Sequence, residues 1–292
     1  MSLPAHLHLL IPSSSSSPSS SSTSNTYLEA RLYLPLSRDA YRNDFPISES
    51  TRSSPTPYTS LADSLSHLNV KRLITAAHPW SKLGGSMLDP VISYYLLSAV
   101  FAHDRDHGQD GHTAVLTFNA RGVGKSASAG WFDLGLRTDA EDFAAVERWG
   151  AHVLGGVKEI WRFGYSWGSM AALTASPPQT SSTSSSQPRI STMLLSPPYT
   201  IFRALTLLAP KSFTSALNVQ TQNTNSGTKE GRVWLVYGTT DEFTSVSAYR
   251  GLNKEGERTG LVSREIEGAG HFWRGEDGER LELVISEWLA DA

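Results

Sequence analysis

Residues 159–175 run from a β-prone stretch, Glu159 to Phe163, through Gly164-Tyr165-Ser166-Trp167-Gly168 into small helix formers, Ser169-Met170-Ala171-Ala172-Leu173. No other stretch limits the fold so strongly. A serine in a G-x-S-x-G pattern between strand and helix sits on a turn tight enough to strain its own backbone and hold its side chain clear of the sheet. Glycines flank it because a Cβ there would meet the neighbouring strand or helix. The hydroxyl then stands at a helix N-terminus, whose dipole favours developing negative charge. In a glycine- and serine-rich chain the five letters alone arise by chance. The strand before them and the helix after them are what make Ser166 a candidate nucleophile.

Around this turn, apolar β-prone runs alternate with helical stretches. The runs fall at residues 70–77, 113–119, 159–165, 190–196, 232–237 and 261–266, and the helices at residues 90–101, 137–154, 169–175 and 279–290. Leu281, Val284, Ile285, Trp288 and Leu289 give the last helix one apolar face. Such alternation predicts a parallel sheet covered by helices. Two short strands near the start, residues 5–11 and 27–34, add an antiparallel pair. The expectation is a mostly parallel sheet of eight strands flanked by helices, in one domain spanning residues 1–292.

Low-complexity tracts interrupt this pattern at about residues 13–24, 36–60, 176–188 and 220–231. Rich in Ser, Thr, Pro and Asn, they can bury little and are expected at the surface; the first reads as a loose hairpin loop and the second as a long connection with a short helix near 61–68. A formal net charge of -3 offers no polycationic surface for phosphates, which argues against a nucleic-acid partner. The absence of cysteine excludes a disulfide frame, a thiolate nucleophile and cysteine-ligated zinc. No apolar run approaches the roughly 20 residues of a membrane helix. The first residues lack the shape of a secretion signal, so a cytoplasmic location is expected.

A serine hydroxyl is a weak nucleophile at neutral pH and needs a base, which in turn needs a group to hold its tautomer. After the 232–237 strand comes Gly238-Thr239-Thr240-Asp241-Glu242, and after the next strand Gly268-Ala269-Gly270-His271-Phe272. The order Ser, Asp, His with both partners on turns after strands makes His271 the candidate base and Asp241 the candidate acid. Glu242 adjoins Asp241 and competes for that role, with Asp133 and Asp139 more remote. A lone loop histidine is usually a plain surface residue; the glycine-rich loop and its place after the last strand set His271 apart.

Acyl transfer also needs two N–H donors for the oxyanion. Trp167, following the serine, supplies one. Residues 73–77 run into His78-Pro79-Trp80-Ser81-Lys82-Leu83-Gly84-Gly85, where Trp80 is the candidate for the second, since Pro79 has no N–H. The plain alternative is that this loop only turns the chain, with His78 capping a strand end. Gly122-Val123-Gly124-Lys125-Ser126 ends like a phosphate-binding loop, but Asn119 stands where that motif requires glycine, so it reads as a tight turn instead.

His78-Pro79 with Gly84-Gly85 and Met87, Phe118 through Ser126, Gly164 through Gly168, Ser196-Pro197-Pro198 and Gly270-His271-Phe272 together resemble small, capless α/β-hydrolases related to dienelactone hydrolases. The resemblance covers roughly residues 70–290. It implies the α/β-hydrolase fold with little or no cap domain and a Ser-His-Asp triad; the serine-rich inserts, Trp80 and Trp167 depart from the group's usual form. Only about thirty residues separate Pro198 from the strand at Arg232, too few for a large lid. One helix from Tyr199 to Leu208 is expected there, with Tyr199, Ile201, Phe202 and Leu205 bordering an acyl pocket and Trp80, Trp131, Phe132 and Trp273 adding wall, although such apolar residues are more often plain core.

These residues predict a serine hydrolase acting on a small-molecule ester, thioester or related acyl substrate through an acyl-enzyme. No metal or organic cofactor is called for. An acyltransferase or cyclase would use the same three side chains with another acceptor, and a non-catalytic binding protein on this fold would be expected to have lost one of them.

Overall fold

The structure is a computed structural model, and it describes residues 7–14, 26–35, 56–57, 61–65, 68–106, 113–129, 138–177, 188–201, 215–218, 220, 232–256 and 260–291. Its centre is one sheet in the order β3-β1-β2-β5-β4-β6-β7-β8-β9. The strands are β1 (Leu7–Pro12), β2 (Tyr27–Tyr33), β3 (Thr56–Pro57), β4 (Arg72–Ala77), β5 (Thr113–Phe118), β6 (Glu159–Tyr165), β7 (Arg189–Leu195), β8 (Val233–Gly238) and β9 (Val262–Ile266). β1 and β2 pair antiparallel, as do β2 and β5; from β5 outward through β9 every pairing is parallel. The eight expected strands are present, mostly parallel.

The ninth is β3, a two-residue parallel pairing outside β1. It falls within the 36–60 tract read as a long connection: a short outer edge tolerates proline, because the missing N–H is not needed by the ladder. Ser13 and Ser14 likewise belong to the packed structure, with Ser13 N–H donating to Thr26 O at 2.9 Å and Ser14 N–H to Asp142 Oδ1 at 3.0 Å.

The helices are α1 (Ala62–Leu65), α2 (Leu97–Asp106), α3 (Thr138–Leu154), α4 (Gly168–Thr174), α5 (Val246–Gly256) and α6 (Glu276–Ala290), with a π-helical segment, Val91–Leu96, leading into α2. Alternate residues of the central strands face opposite cores, as the two-residue period of a strand requires. Leu73, Ala77, Leu116 and Phe118 pack with Phe143 and Val146 of α3. Ile74, Ala76, Val115, Trp161 and Phe163 face Leu97 and Val100 of α2 and Leu281, Ile285 and Trp288 of α6. At the β8 end, Leu235 and Tyr237 pack on Tyr249 and Leu252 of α5. With both faces covered, the strands read as the nearly continuous apolar runs seen in the sequence. No helix among the described residues is long and apolar enough to cross a membrane.

Candidate active site

The turn between β6 and α4 puts Ser166 at φ +53°, a left-handed conformation that a non-glycine residue adopts only when its surroundings impose it. Two glycines make that turn possible. A Cβ at Gly164 would lie 2.5 Å from Ser169 Cα, and one at Gly168 would lie 2.4 Å from Ala77 O and 2.7 Å from His78 O. The serine N–H is held by Leu195 O at 2.8 Å, tying the turn to β7.

The loops after β8 and β9 bring two further groups to this point. His271 Nε2 lies 2.9 Å from Ser166 Oγ, and His271 Nδ1 lies 2.8 Å from Asp241 Oδ2. Ser166 and His271 are buried, and the Asp241 side chain is wholly so. Burial alone would raise the Asp241 carboxyl; the hydrogen bond from His271 and the N–H groups of Phe243 and Thr244 outweigh it, holding the pKa below the ordinary value. An ionised Asp241 can only accept, so Nδ1 carries the proton and Nε2 presents its lone pair to the serine hydroxyl. The other carboxylate oxygen, Oδ1, accepts from Phe243 N–H at 2.8 Å and Thr244 N–H at 2.9 Å, and Tyr249 OH stands 3.1 Å from Oδ2.

Glu242, the sequence's competing acid, touches the same histidine elsewhere. Its Oε2 accepts the His271 backbone N–H at 2.7 Å. The Phe243 ring stands edge-on to the imidazole, centroids 4.5 Å apart. Asp139 lies at the start of α3 and borders, with His78, Pro79, Ala120 and Trp167, a small cleft beside the serine turn. Asp133 falls outside the described residues.

Beyond Ala77 the chain passes over the α4 N-terminus, where only glycine at 168 leaves it room. His78 fixes this loop. Its Nε2 accepts from Ala120 N–H at 2.9 Å and its Nδ1 lies 2.6 Å from Pro79 O, which defines a neutral ring with the proton on Nδ1. Burial lowers the His78 pKa to about 4, so the ring stays in this form at neutral pH. Trp80 and Trp167 stack, ring centroids 4.9 Å apart and planes inclined by 20°. Trp80 O accepts from both Leu83 N–H and Gly85 N–H, closing the loop on itself.

The residues expected to line a pocket divide. Tyr199 is half-buried against the cluster holding Trp167 and Met170, at the start of a helical turn that includes Thr200 and Ile201. Phe202, Leu205, Trp131 and Phe132 lie outside the described residues. Trp273 is corrected from pocket wall to core: it is 1% exposed among Ile74, Tyr165 and Trp288, and its Nε1 donates to Ser196 Oγ at 3.0 Å. It sits at φ +48°, and an aromatic beside a loop histidine does not signal this burial in sequence. Among the described residues no group of three or more His, Asp or Glu is placed to hold a metal ion.

Tyr165 has no place in the sequence reading beyond filling a motif position. It is buried, and its hydroxyl donates to His271 O at 2.9 Å. An aromatic with a polar tip at the buried end of a strand is the only hint the sequence offers, because the partner lies 106 residues away.

Solved structures similar to the chain include an α/β serine hydrolase homologue from Coxiella burnetii, 20% identical, TM-score 0.59, covering 98% of this chain and 99% of that one. A serine hydrolase without lid from Xanthomonas campestris is 18% identical, TM-score 0.58, covering 97% and 93%. An esterase from Pyrococcus furiosus is 14% identical, TM-score 0.58, covering 97% and 91%. No protein-family model and no curated protein matches the chain. At these identities the likeness shows the fold, which is the α/β-hydrolase fold.

Proposed function

We propose that the protein is a serine hydrolase that cleaves a small ester, thioester or related acyl substrate, with Ser166 as nucleophile, His271 as general base and Asp241 as the acid that orients the base. One observation carries this reading: His271 lies within hydrogen-bond distance of Ser166 on one ring nitrogen and of Asp241 on the other. In the first step Nε2 takes the hydroxyl proton while Oγ attacks the carbonyl carbon, and the imidazolium is stabilised by Asp241. The backbone N–H groups of Trp80 and Trp167 receive the oxyanion, a role supported by the approach of the 77–80 loop to the α4 N-terminus. The imidazolium then protonates the leaving group, and water, deprotonated by the same nitrogen, attacks the acyl-serine and restores the hydroxyl.

The fold's likeness to serine hydrolases and an esterase agrees with this chemistry. The direct test is covalent labelling by a fluorophosphonate. Labelling at Ser166 that disappears in S166A, with an unchanged circular dichroism spectrum, is expected; undiminished labelling of S166A would overturn the assignment. Hydrolysis of p-nitrophenyl esters of increasing chain length then reads the size of the acyl group.

A further inference from the structure

The imidazole of His271 is only as well placed as the peptide that carries it. Its loop, 268–275, is short of regular structure, with Gly268 and Gly275 at positive φ and Gly270 between them. Such a loop leaves the ring several ways to move unless something holds the main chain. Thr239, Thr240 and Asp277 tie down Gly268, Ala269 and Gly270, and at His271 itself two side chains hold the main chain, one on each side of the residue. Tyr165 OH donates to His271 O at 2.9 Å, and Glu242 Oε2 accepts from His271 N–H at 2.7 Å. Neither contact is local in sequence, being 106 and 29 residues apart. Each comes from the immediate neighbour of a residue that touches the imidazole: Tyr165 precedes Ser166, and Glu242 follows Asp241.

Resting on the hydrolase reading above, we propose that Tyr165 and Glu242 are positioning residues for the base: a two-sided clamp on the His271 peptide that keeps Nε2 on the Ser166 hydroxyl. A displacement of the strand end carrying Ser166 moves Tyr165 with it, and through its hydroxyl the histidine follows. The same holds for the turn carrying Asp241 and Glu242. The imidazole is therefore indexed to both of its partners through their neighbours, which preserves two distances at once.

The two halves differ in strength. Tyr165 OH is buried, so removing it leaves the His271 carbonyl with no replacement partner from solvent. Burial first, then the charges of Asp89 and Asp241, push the phenol far above its ordinary pKa, so it remains a donor throughout the working range. Glu242 is largely exposed, and water can take its place at the N–H.

The experiment compares the wild-type protein with Y165F, E242A and E242Q, measuring the second-order rate of fluorophosphonate labelling at Ser166 well below each variant's melting temperature. Ester kcat and KM are measured alongside. Y165F is expected to slow labelling and lower kcat about tenfold at unchanged KM, the scale of a small displacement of a reacting group. E242A should lose roughly threefold and E242Q, whose amide oxygen still accepts the N–H, should recover it. In the proton NMR spectrum the downfield Nδ1–H signal of His271 should broaden or vanish in Y165F. Wild-type labelling rate and an intact downfield signal in Y165F, even with a lowered melting temperature, would reduce Tyr165 to a structural residue and overturn the clamp. Failure of the wild-type protein to label at Ser166 would instead remove the hydrolase reading, and the clamp with it.

Discussion

Asp241 divides its carboxylate between two tasks: Oδ1 takes the N–H groups of its own turn, from Phe243 and Thr244, while Oδ2 is left for His271 Nδ1 at 2.8 Å. Because the turn fixes Oδ1, the substitution D241N has only one satisfactory orientation. The amide oxygen replaces Oδ1 and the NH2 group faces the imidazole. Nδ1 must then accept, the proton moves to Nε2, and the base can no longer receive the serine proton. D241N is expected to fold normally and to lose on the order of 10⁴ in kcat, measured by ester turnover. A residual activity within tenfold of wild type would show that Asp241 is not needed for the tautomer.

His78 gives a second prediction, in stability against pH. Its pKa is held at about 4 in the folded state by burial, against roughly 6.5 for an unperturbed imidazole. The unfolded chain therefore binds the extra proton first, and the contribution of this residue is fully present above about pH 6.5 and is lost as pH falls through that window towards 4. Protonation at Nε2 would also set two donors, the ring and Ala120 N–H, against each other. Urea unfolding midpoints are expected to decline over this range in the wild type and more gently in H78F, which is also less stable at pH 8 by about 1–3 kcal/mol because Ala120 N–H loses its acceptor.

Glu29 works lower on the pH scale. Burial raises its pKa, but the hydrogen bond to His8, the N–H of Lys125 and the amide of Asn119 bring the net value down to about 2. Asn119 passes the link onward, its Oδ1 accepting Met87 N–H at 2.9 Å, so this network anchors the chain that leaves the 78–85 loop. A depressed carboxylate stabilises above its unfolded pKa, near 4.5, and the contribution is lost as pH falls towards 2. Acid unfolding should show this loss in the wild type, whereas E29Q should be unstable at neutral pH and show a flatter response between pH 4.5 and 2.

Much of this was legible in the sequence, and the parts that were not share a cause. β6 spans Glu159–Tyr165, the bounds read from the chain, because its Ile160, Trp161, Phe163 and Tyr165 lead straight into the glycine-flanked serine turn, and the one charge inside it, Arg162, is buried against Glu147. Helix α5 was not foreseen: only Tyr249, Leu252 and Gly256 are buried in an otherwise polar stretch, too narrow a stripe to stand out. The meeting of Ser166 with His271 followed from motif order, since the ends of parallel strands lie on one rim of the sheet. Side-chain direction did not follow. Asp241 and Glu242 are neighbours of like chemistry, and only the backbone turn decides that one faces the ring and the other the peptide. Trp273 and Tyr165 were misread or passed over for the same reason.

Gly168 tests how closely the loop at 77–80 must approach the serine turn. A methyl group at this position would stand 2.4 Å from Ala77 O, a backbone atom that cannot swing aside. G168A is expected to force the loop outward, separating the Trp80 and Trp167 backbones and breaking the indole stack between them. Stability should fall by about 1–3 kcal/mol in urea. On the oxyanion role proposed for Trp80 and Trp167, ester kcat should fall further than that loss explains, on the order of 10²-fold at temperatures where the variant is fully folded, because such a donor acts on the transition state alone. Unchanged kcat in a folded G168A would separate the loop from the chemistry.

The helix that begins beside Ser166 also depends on a charge at its other end. Arg162, on β6, makes two 2.7 Å bonds to Glu147 of α3, and both side chains are almost wholly buried. The same guanidinium donates to Ala175 O at 2.9 Å and Ser176 O at 3.0 Å, just past the C-terminus of α4. A cation at that end complements the helix dipole and satisfies carbonyls the helix leaves unpaired. Replacing Arg162 by methionine keeps the apolar volume but leaves Glu147 charged or protonated with no partner. R162M is expected to lose about 3–5 kcal/mol in urea unfolding, and the double variant R162M/E147L to recover part of it, because removing one member of a buried pair costs more than removing both. Recovery that restores stability without restoring the labelling rate at Ser166 would trace the deficit to the α4 terminus, since the carbonyls of Ala175 and Ser176 stay unpaired in both variants.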